Sequence, residues 1–421
     1  MPLLLKLRFA KADYREVCIA KIGSFLVRNL VELGPAFIKL GQVLSTRQDL
    51  VGKNLGSMLS QLEDRIPQVD FSKISRLLDL EISQERLSEI EYIENTAVAA
   101  ASIAQVHKAQ LKDGTQIAFK FLRPGISKKF YKNLKTLRAL SKIYVFIFKS
   151  AKKLKFEEII PKIESIAAAE LDMRLEAAAA DKLRENCKND KFVYIPKVYW
   201  RYTKKSILAL EWVDGLSLKN KEDISKLGLS FKEITRRLAI TFFNQAFRDG
   251  FFHADLHKGN IFINKSGQIV LVDFGIVESL ADRDRMFVAQ IIDAFVARDY
   301  CRVANMYFRA GYVPNDQSRY KFELACRSIG ESIFDAPVSQ ISISELLKQL
   351  LEITREFSMP TQAQLLMLQK TMLTVEGVGY FLYPEVNMWY LIRPWIKDWA
   401  KKNLSYRCKF RFILKHIFNI L

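Results

Sequence analysis

The chain has 421 residues, enough to bury a large core in two lobes, and its 49% hydrophobic content excludes wholesale disorder. Its 65 Lys and Arg against 46 Asp and Glu leave a formal charge of +19, which calls for an acidic partner or surface. No recognisable nucleic-acid-binding module accompanies that charge, so an anionic lipid surface is the expected partner and nucleic acid is not.

The chain opens Met1-Pro2-Leu3-Leu4-Leu5-Lys6, an apolar run too short for a signal peptide. Cys18, Cys187, Cys301, Cys326 and Cys408 are scattered without metal-ligand spacing, which points to unpaired thiols in a reducing compartment. The segment Ala99-Ala100-Ala101-Ser102 through His107 is a small-residue turn. Taken alone it is either packed under a helix or a phosphate-approaching loop in which Ser102 and backbone amides are the candidate contacts. After the Lys112-Asp113-Gly114 turn, Gln116 to Phe121 reads as a strand carrying Lys120. The Tyr144 to Phe148 run, bracketed by Lys142 and Lys149, is too short to span a bilayer and reads as an ordinary buried segment.

The Ala-rich stretch from Ile163 to Leu183 reads as one helix bearing Glu170, Asp172 and Glu176, with Asp172 and Glu176 four apart on a shared face. A β-type run from Ser206 to Val213 then ends at the turn Glu211-Trp212-Val213-Asp214-Gly215, where the boundary between two lobes is expected.

His253-Ala254-Asp255-Leu256-His257-Lys258-Gly259-Asn260 follows, and Asp273-Phe274-Gly275 begins 13 residues after that Asn. An Asp with an Asn five residues on matches a kinase catalytic loop, where the Asp accepts a hydroxyl proton and the Asn holds magnesium. Asp273 supplies the second metal ligand. Ile261 to Ile263 and Ile269 to Val272 read as strands joined across Asn264 to Gln268, a hairpin that returns Asp273 to Asn260. In that constellation Lys120 contacts the nucleotide phosphates, a helix carboxylate holds it, and adenine docks on the backbone of Glu211 and Val213. His253 and His257 flank Asp255 at a spacing that also suits a zinc pair. Zinc wants three or four ligands, however, and His107 and His416 lie far off in sequence, so packing of His253 on the Asp-Phe-Gly turn is favoured. Beyond Gly275 the chain runs directly to Asp282, an N-cap candidate for a helix beginning near Arg283, with no long activation segment and no Ala-Pro-Glu. That argues against an ordinary protein kinase. The segment from Lys401 to Leu421 mixes Lys402, Arg407, Lys409, Arg411 and Lys415 with Phe410, Phe412, Ile413, Leu414, Ile417 and Phe418, and reads as an interfacial membrane segment or a core-packed terminal helix.

Together these motifs resemble the UbiB, or AarF, family of atypical kinase-like proteins that support ubiquinone biosynthesis. Phe37-Ile38-Lys39-Leu40-Gly41-Gln42 resembles the family's Lys-x-Gly-Gln motif, and Glu170-Leu171-Asp172 its Glu-x-Asp motif. Ala99 to Ser102 resembles its Ala-rich loop, and Leu368 to Lys370, Thr374 to Gly379 and Tyr383-Pro384 resemble its C-terminal lobe. The resemblance implies an α+β, two-lobed, protein-kinase-like fold: a helical N-terminal extension over 1–70, an N-lobe over 71–213, a mainly helical C-lobe over 214–400 and a basic amphipathic tail over 401–421. It further implies that Glu176 pairs with Lys120, and that Lys39 and Gln42 fold onto Glu170 and Asp172 to block substrate access. ATP or ADP and Mg are the implied cofactors. The implied activity is that of an atypical kinase or ATPase acting on isoprenoid quinone precursors at the cytoplasmic face of the inner membrane, alongside other quinone-biosynthesis proteins. A nucleotide-gated lipid-binding or scaffold pseudokinase and a protein kinase acting in trans are the alternatives. Two departures stand out: Lys258 replaces a frequent Pro, and the apolar spans that usually end bacterial members are not found here.

Overall fold

A computed structural model describes residues 12–46, 53–59, 68–100, 103–147, 156–334, 349, 353, 356–357, 359, 363–386 and 388–403. The chain divides into two compact units, one of residues 1–178 with 198–212 and the other of residues 179–197 with 213–421.

The first unit begins with helices α1 (Ala12–Leu33), α2 (Pro35–Thr46) and α3 (Lys53–Leu59), which pack on one another, followed by α4 (Phe71–Glu81) and the single turn α5 (Gln84–Leu87). Asp70 caps α4, its carboxylate accepting from Ser72 N at 2.8 Å. An antiparallel sheet follows: β1 (Ile90–Ile93), β2 (Ala99–Ala100), β3 (Ala104–Leu111), β4 (Gln116–Leu122) and, later in the chain, β6 (Ile207–Glu211), in the order β1-β3-β4-β6 with β2 alongside β3. Strand alternation decides which face is core. Ile117, Phe119 and Phe121 of β4 point one way, fully buried with Ile74, Leu78, Tyr202 and Ala209, so Ala118 and Lys120 take the other face. Helices α6 (Ile126–Ile147) and α7 (Phe156–Glu170) and the start of α8 (Met173–Cys187), which passes into the second unit after Ala178, complete the unit's described elements, with α2 packed against both α6 and α7.

The Ala-rich stretch is two helices, not the one that propensity suggests. Met173 N donates to Lys205 O at 2.9 Å instead of to the preceding turn, and Asp172 becomes the entry to α8, its carboxylate accepting from Arg174 N at 3.1 Å. Asp172 and Glu176 therefore do not share the face of a continuous helix.

The second unit is built on a four-stranded sheet ordered β5-β10-β9-β7, from β5 (Val193–Tyr194), β7 (Gly215–Ser217), β9 (Ile261–Asn264) and β10 (Ile269–Leu271). The β9–β10 hairpin forms with Ile269 opposite Ile263 and Leu271 opposite Ile261. Its turn is set by the Asn264 side chain, which accepts from Gln268 N at 2.9 Å, and by Gly267 at φ +75°. A two-stranded ribbon pairs β8 (Phe251–His253) with β11 (Val277–Ser279). The described helices are α9 (Lys221–Ser225), α10 (Phe231–Phe243), α11 (Asp282–Val296), α12 (Tyr300–Arg309), α13 (Arg319–Phe334), α14 (Ala363–Leu382) and α15 (Met388–Asn403). Helix α10 continues into a π-turn over Asn244–Asp249, which ends at Gly250 in the left-handed conformation, φ 69°. A Cβ at Gly250 would stand 2.7 Å from Leu280 O, so only glycine fits.

Helix α11 starts at Asp282, with Ala281 as its N-cap residue and no side-chain cap. Asp282 instead pairs with Arg285 inside the first turn, which corrects its expected capping role. Cys187, Cys301 and Cys326 are free thiols. No described helix is long and apolar enough to cross a membrane. Residues 404–421, most of the expected interfacial segment, lie outside the described residues.

Candidate active site

In the first unit, Lys120 lies on the sheet face opposite the aromatic core, and its ammonium donates to Glu176 Oε1 at 2.8 Å. Glu176 sits in the first turn of α8, where the helix's N-terminal end favours a carboxylate, and its side chain is only 8% exposed. The break before α8 gives Glu170 and Glu176 separate lysines. Glu170, at the end of α7, accepts from Lys39 of α2 at 2.5 Å, with both side chains largely buried. Asp172 takes no part in that pair. Arg174 holds its carboxylate through two bonds of 2.9 and 2.6 Å, which keep the Asp172 pKa below the usual carboxylate range. The Gln42 side chain lies outside what the structure describes, as do Ala101 and Ser102. Ala99 and Ala100 form β2, opposite Val106 and Gln105, so this part of the Ala-rich segment is a strand and not an open loop. Glu211 ends β6 opposite Ile117, and the following Trp212 N donates to Gln116 O at 3.1 Å.

In the second unit, the hairpin does what its sequence predicts. Val272 N donates to Asn260 O at 3.0 Å, extending the β9–β10 ladder by one bond and setting Asp273 beside the end of the catalytic-type loop. Asp273 has φ 60°, a left-handed conformation uncommon outside glycine, although Asp tolerates it. Asn260 is 7% exposed, and its Nδ2 donates to Asp255 O at 3.1 Å, which leaves the amide oxygen as the atom a cation would take. The Asp255 carboxylate is accessible, with His257 Nε2 at 3.7 Å, too far for a direct hydrogen bond. Val213, at the start of this unit, is partly exposed.

His253 is fully buried and is not half of a zinc pair. Its Nδ1 accepts from Asp255 N at 3.1 Å, so the proton is on Nε2, which donates to Val272 O at 3.2 Å, and the ring meets Phe274 edge-on at 5.8 Å. Among the described residues no three His, Cys, Asp or Glu cluster as metal ligands. Burial pushes the His253 pKa down, offset only in part by the Val272 carbonyl and the nearby aspartates, and burial lowers that of His107 as well. Both rings titrate lower folded than unfolded, so unfolded chains take up these protons first. Stability is therefore full above the ordinary histidine value of 6.5 and is lost as pH falls below it. Thermal denaturation followed down to pH about 5 is expected to show that decline, and a flat profile would contradict it.

Two supports of the loop escape sequence reading. Gln245, fully buried in the π-turn, accepts from His253 N at 3.1 Å, and Thr371 of α14 donates to Ala254 O at 3.2 Å. A polar pair, Asn244-Gln245, inside the apolar run from Phe242 to Phe247 is the signal for the first. Thr371 leaves no local signal. Lys258, where a proline was expected, sits 3.9 Å from the centroid of the Phe381 ring, a cation–π contact that ties the loop to α14.

A buried Lys–Glu pair on strand and helix, and a catalytic-type loop closed by a hairpin onto Asp-Phe-Gly, define an atypical kinase-like protein. The sequence model of the ABC1 atypical kinase-like domain matches residues 61–307, and that of the UbiB helical domain matches residues 326–387. The chain belongs to the UbiB family of atypical kinase-like proteins. It is 36% identical over 411 residues to the "Probable protein kinase UbiB" of Marinobacter nauticus, covering 96% of this chain and 75% of that protein. The protein of the same name from Pseudomonas aeruginosa is 35% identical over 387 residues, covering 91% and 73%. Among solved structures, a Mycobacterium tuberculosis protein in complex with erythromycin superposes with a TM-score of 0.58 at 22% identity, covering 91% of this chain and 97% of that one, a likeness of fold.

Proposed function

We propose that the chain uses ATP and Mg as an atypical kinase or ATPase that supports ubiquinone biosynthesis at a membrane, acting on or mobilising isoprenoid quinone precursors. The observation that carries this reading is the hairpin bond from Val272 N to Asn260 O, which sets the Asn260 amide beside Asp273. These are hard oxygen donors of the kind magnesium takes, and magnesium when bound neutralises phosphate charge. Lys120, oriented by Glu176, binds phosphate oxygens; Asp255 accepts or orients the acceptor's proton; the backbone of Glu211 and Val213 receives adenine. The path from Gly275 to Asp282 is spent on β11, which disfavours peptide phosphorylation in trans. The membrane part rests on the +19 charge.

The Lys39–Glu170 pair supports a second reading, a nucleotide-gated lipid-binding or scaffold protein in which the extension sets conformation. Measuring magnesium-dependent ATP hydrolysis with and without anionic vesicles separates the two: binding without turnover under both conditions would favour the scaffold. In the enzymatic reading, Lys39→Ala releases α2 from Glu170 and raises hydrolysis or autophosphorylation about fivefold or more. An unchanged rate in a folded variant would remove the inhibitory role.

A further inference from the structure

Helix α6 presents to solvent a face that carries cations and apolar tips but no acid. Ile126, Phe130, Leu134, Leu137 and Ser141 are its buried side, spaced three and four apart, and Asn133 Nδ2 pins it to Leu33 O at 2.8 Å. On the opposite side Lys128, Lys129, Lys132, Lys135, Arg138 and Lys142 are all exposed. The whole helix from Ile126 to Ile147 contains neither Asp nor Glu. Among the described residues only Arg138 finds an acidic partner, Glu164 of α7.

This arrangement works against the helix itself. Lys128 with Lys132, Lys132 with Lys135, Lys135 with Arg138, and Arg138 with Lys142 are like charges at three- and four-residue spacing, each pair destabilising in an isolated helix. Between them stand large apolar side chains in water: Tyr131 at 41%, Leu140 at 51% and Ile143 at 54% of full exposure. Neither feature is explained by folding of the first unit.

We infer that this face of α6 is the surface by which the protein lies on an anionic lipid bilayer. The inference rests on the membrane reading above and names its contact. A straight helix of 22 residues is about 33 Å long and can lie flat along a headgroup plane, with its lysines at the phosphates and its apolar tips below them. Charge complementarity alone would also suit RNA. The interleaved side chains decide against it, because Leu140 and Ile143 give no planar platform for bases and, among the side chains described on this helix, Tyr131 is the one exposed aromatic.

The test is flotation of the full chain with vesicles of phosphatidylcholine alone or enriched in phosphatidylglycerol, across a salt series. Two variants accompany the parent: Lys128→Glu/Lys132→Glu/Lys135→Glu, and Leu140→Ser/Ile143→Ser. All five positions are exposed, and circular dichroism checks that the helix content holds. The parent is expected to bind the anionic vesicles in a salt-sensitive way, the charge reversal to lower its partition coefficient by at least about tenfold, and the serine variant to weaken the salt-resistant remainder. Should the folded charge-reversal variant bind as the parent does, while removal of residues 404–421 abolishes binding, the membrane reading stands and this surface is wrong. Failure of the parent to bind any anionic vesicle overturns both. Binding of the parent to polyuridylate, lost in the charge-reversal variant with vesicle binding unaffected, overturns the lipid assignment in favour of RNA.

Discussion

Replacing Asp273 with Asn is expected to lower magnesium-dependent nucleotide turnover by at least roughly 100-fold while leaving the fold intact. The substitution is chemically narrow. Asp273 sits at φ 60°, a conformation asparagine also tolerates, the hairpin bond beside it is a backbone bond from Val272 to Asn260, and the bond its Oδ1 accepts from Gly275 N at 3.4 Å is one an asparagine oxygen can keep, so the main change is the loss of a negative charge. Isothermal titration of nucleotide with and without magnesium, alongside hydrolysis rates, gives the readout. Metal dependence equal to the parent's in a folded variant would remove Asp273 from the proposed site. Asp255→Asn supplies the contrast, because its carboxylate is accessible and meets no backbone amide of the loop. It should leave nucleotide affinity near the parent's and lower turnover by about 100-fold, the scale of a lost general base. Parental turnover would make Asp255 structural.

The second large effect is on stability. Phe119 is fully buried at the centre of the first unit's sheet, stacked on Phe121 at 5.5 Å and edge-on to Tyr202 at 6.2 Å. Truncation to Ala opens a cavity that the paired strands β3 and β6 cannot close without losing register, at a cost of about 3–5 kcal/mol. Calorimetry should show the unfolding of that unit shifted down by roughly 10 °C. Phe119 immediately precedes Lys120 on the strand, so the same variant is expected to weaken nucleotide binding indirectly, and binding restored by lowering the temperature would identify the cause as folding. A transition within a degree or so of the parent's would mean that the sheet repacks.

Several parts of the site were legible because the chemistry is local. The Asp-to-Asn spacing of the loop, the turn residues Asn264 to Gln268 and the alternation around Lys120 each follow from a few consecutive residues, and the structure forms the hairpin and strand they predict. The Ala-rich stretch was harder. Ala, Leu and Glu dominate it, so summed propensity gives one continuous element, whereas the Lys205 carbonyl captures Met173 N and splits it. That bond comes from far along the chain and leaves no local trace. Asp282 failed as a cap for a related reason: Arg285, one turn on, draws its carboxylate sideways.

The sequence by itself determined the catalytic-type loop, the spacing that brings Asn260 and Asp273 together, the two-lobed kinase-like class and the strong positive charge, because each depends on residue identity at short spacing or on simple counts. Tertiary structure decided which carboxylate meets which lysine. Glu170 went to Lys39, Glu176 to Lys120 and Asp172 to Arg174, a division that turns on where one helix ends and the next begins. It also decided how the loop is held, through Gln245, Thr371 and the Lys258–Phe381 contact, and which lysines share a face without an acid. Such pairings join residues far apart in the chain, and only packing, which fixes the direction of every side chain at once, can select among the many that the charges alone would permit.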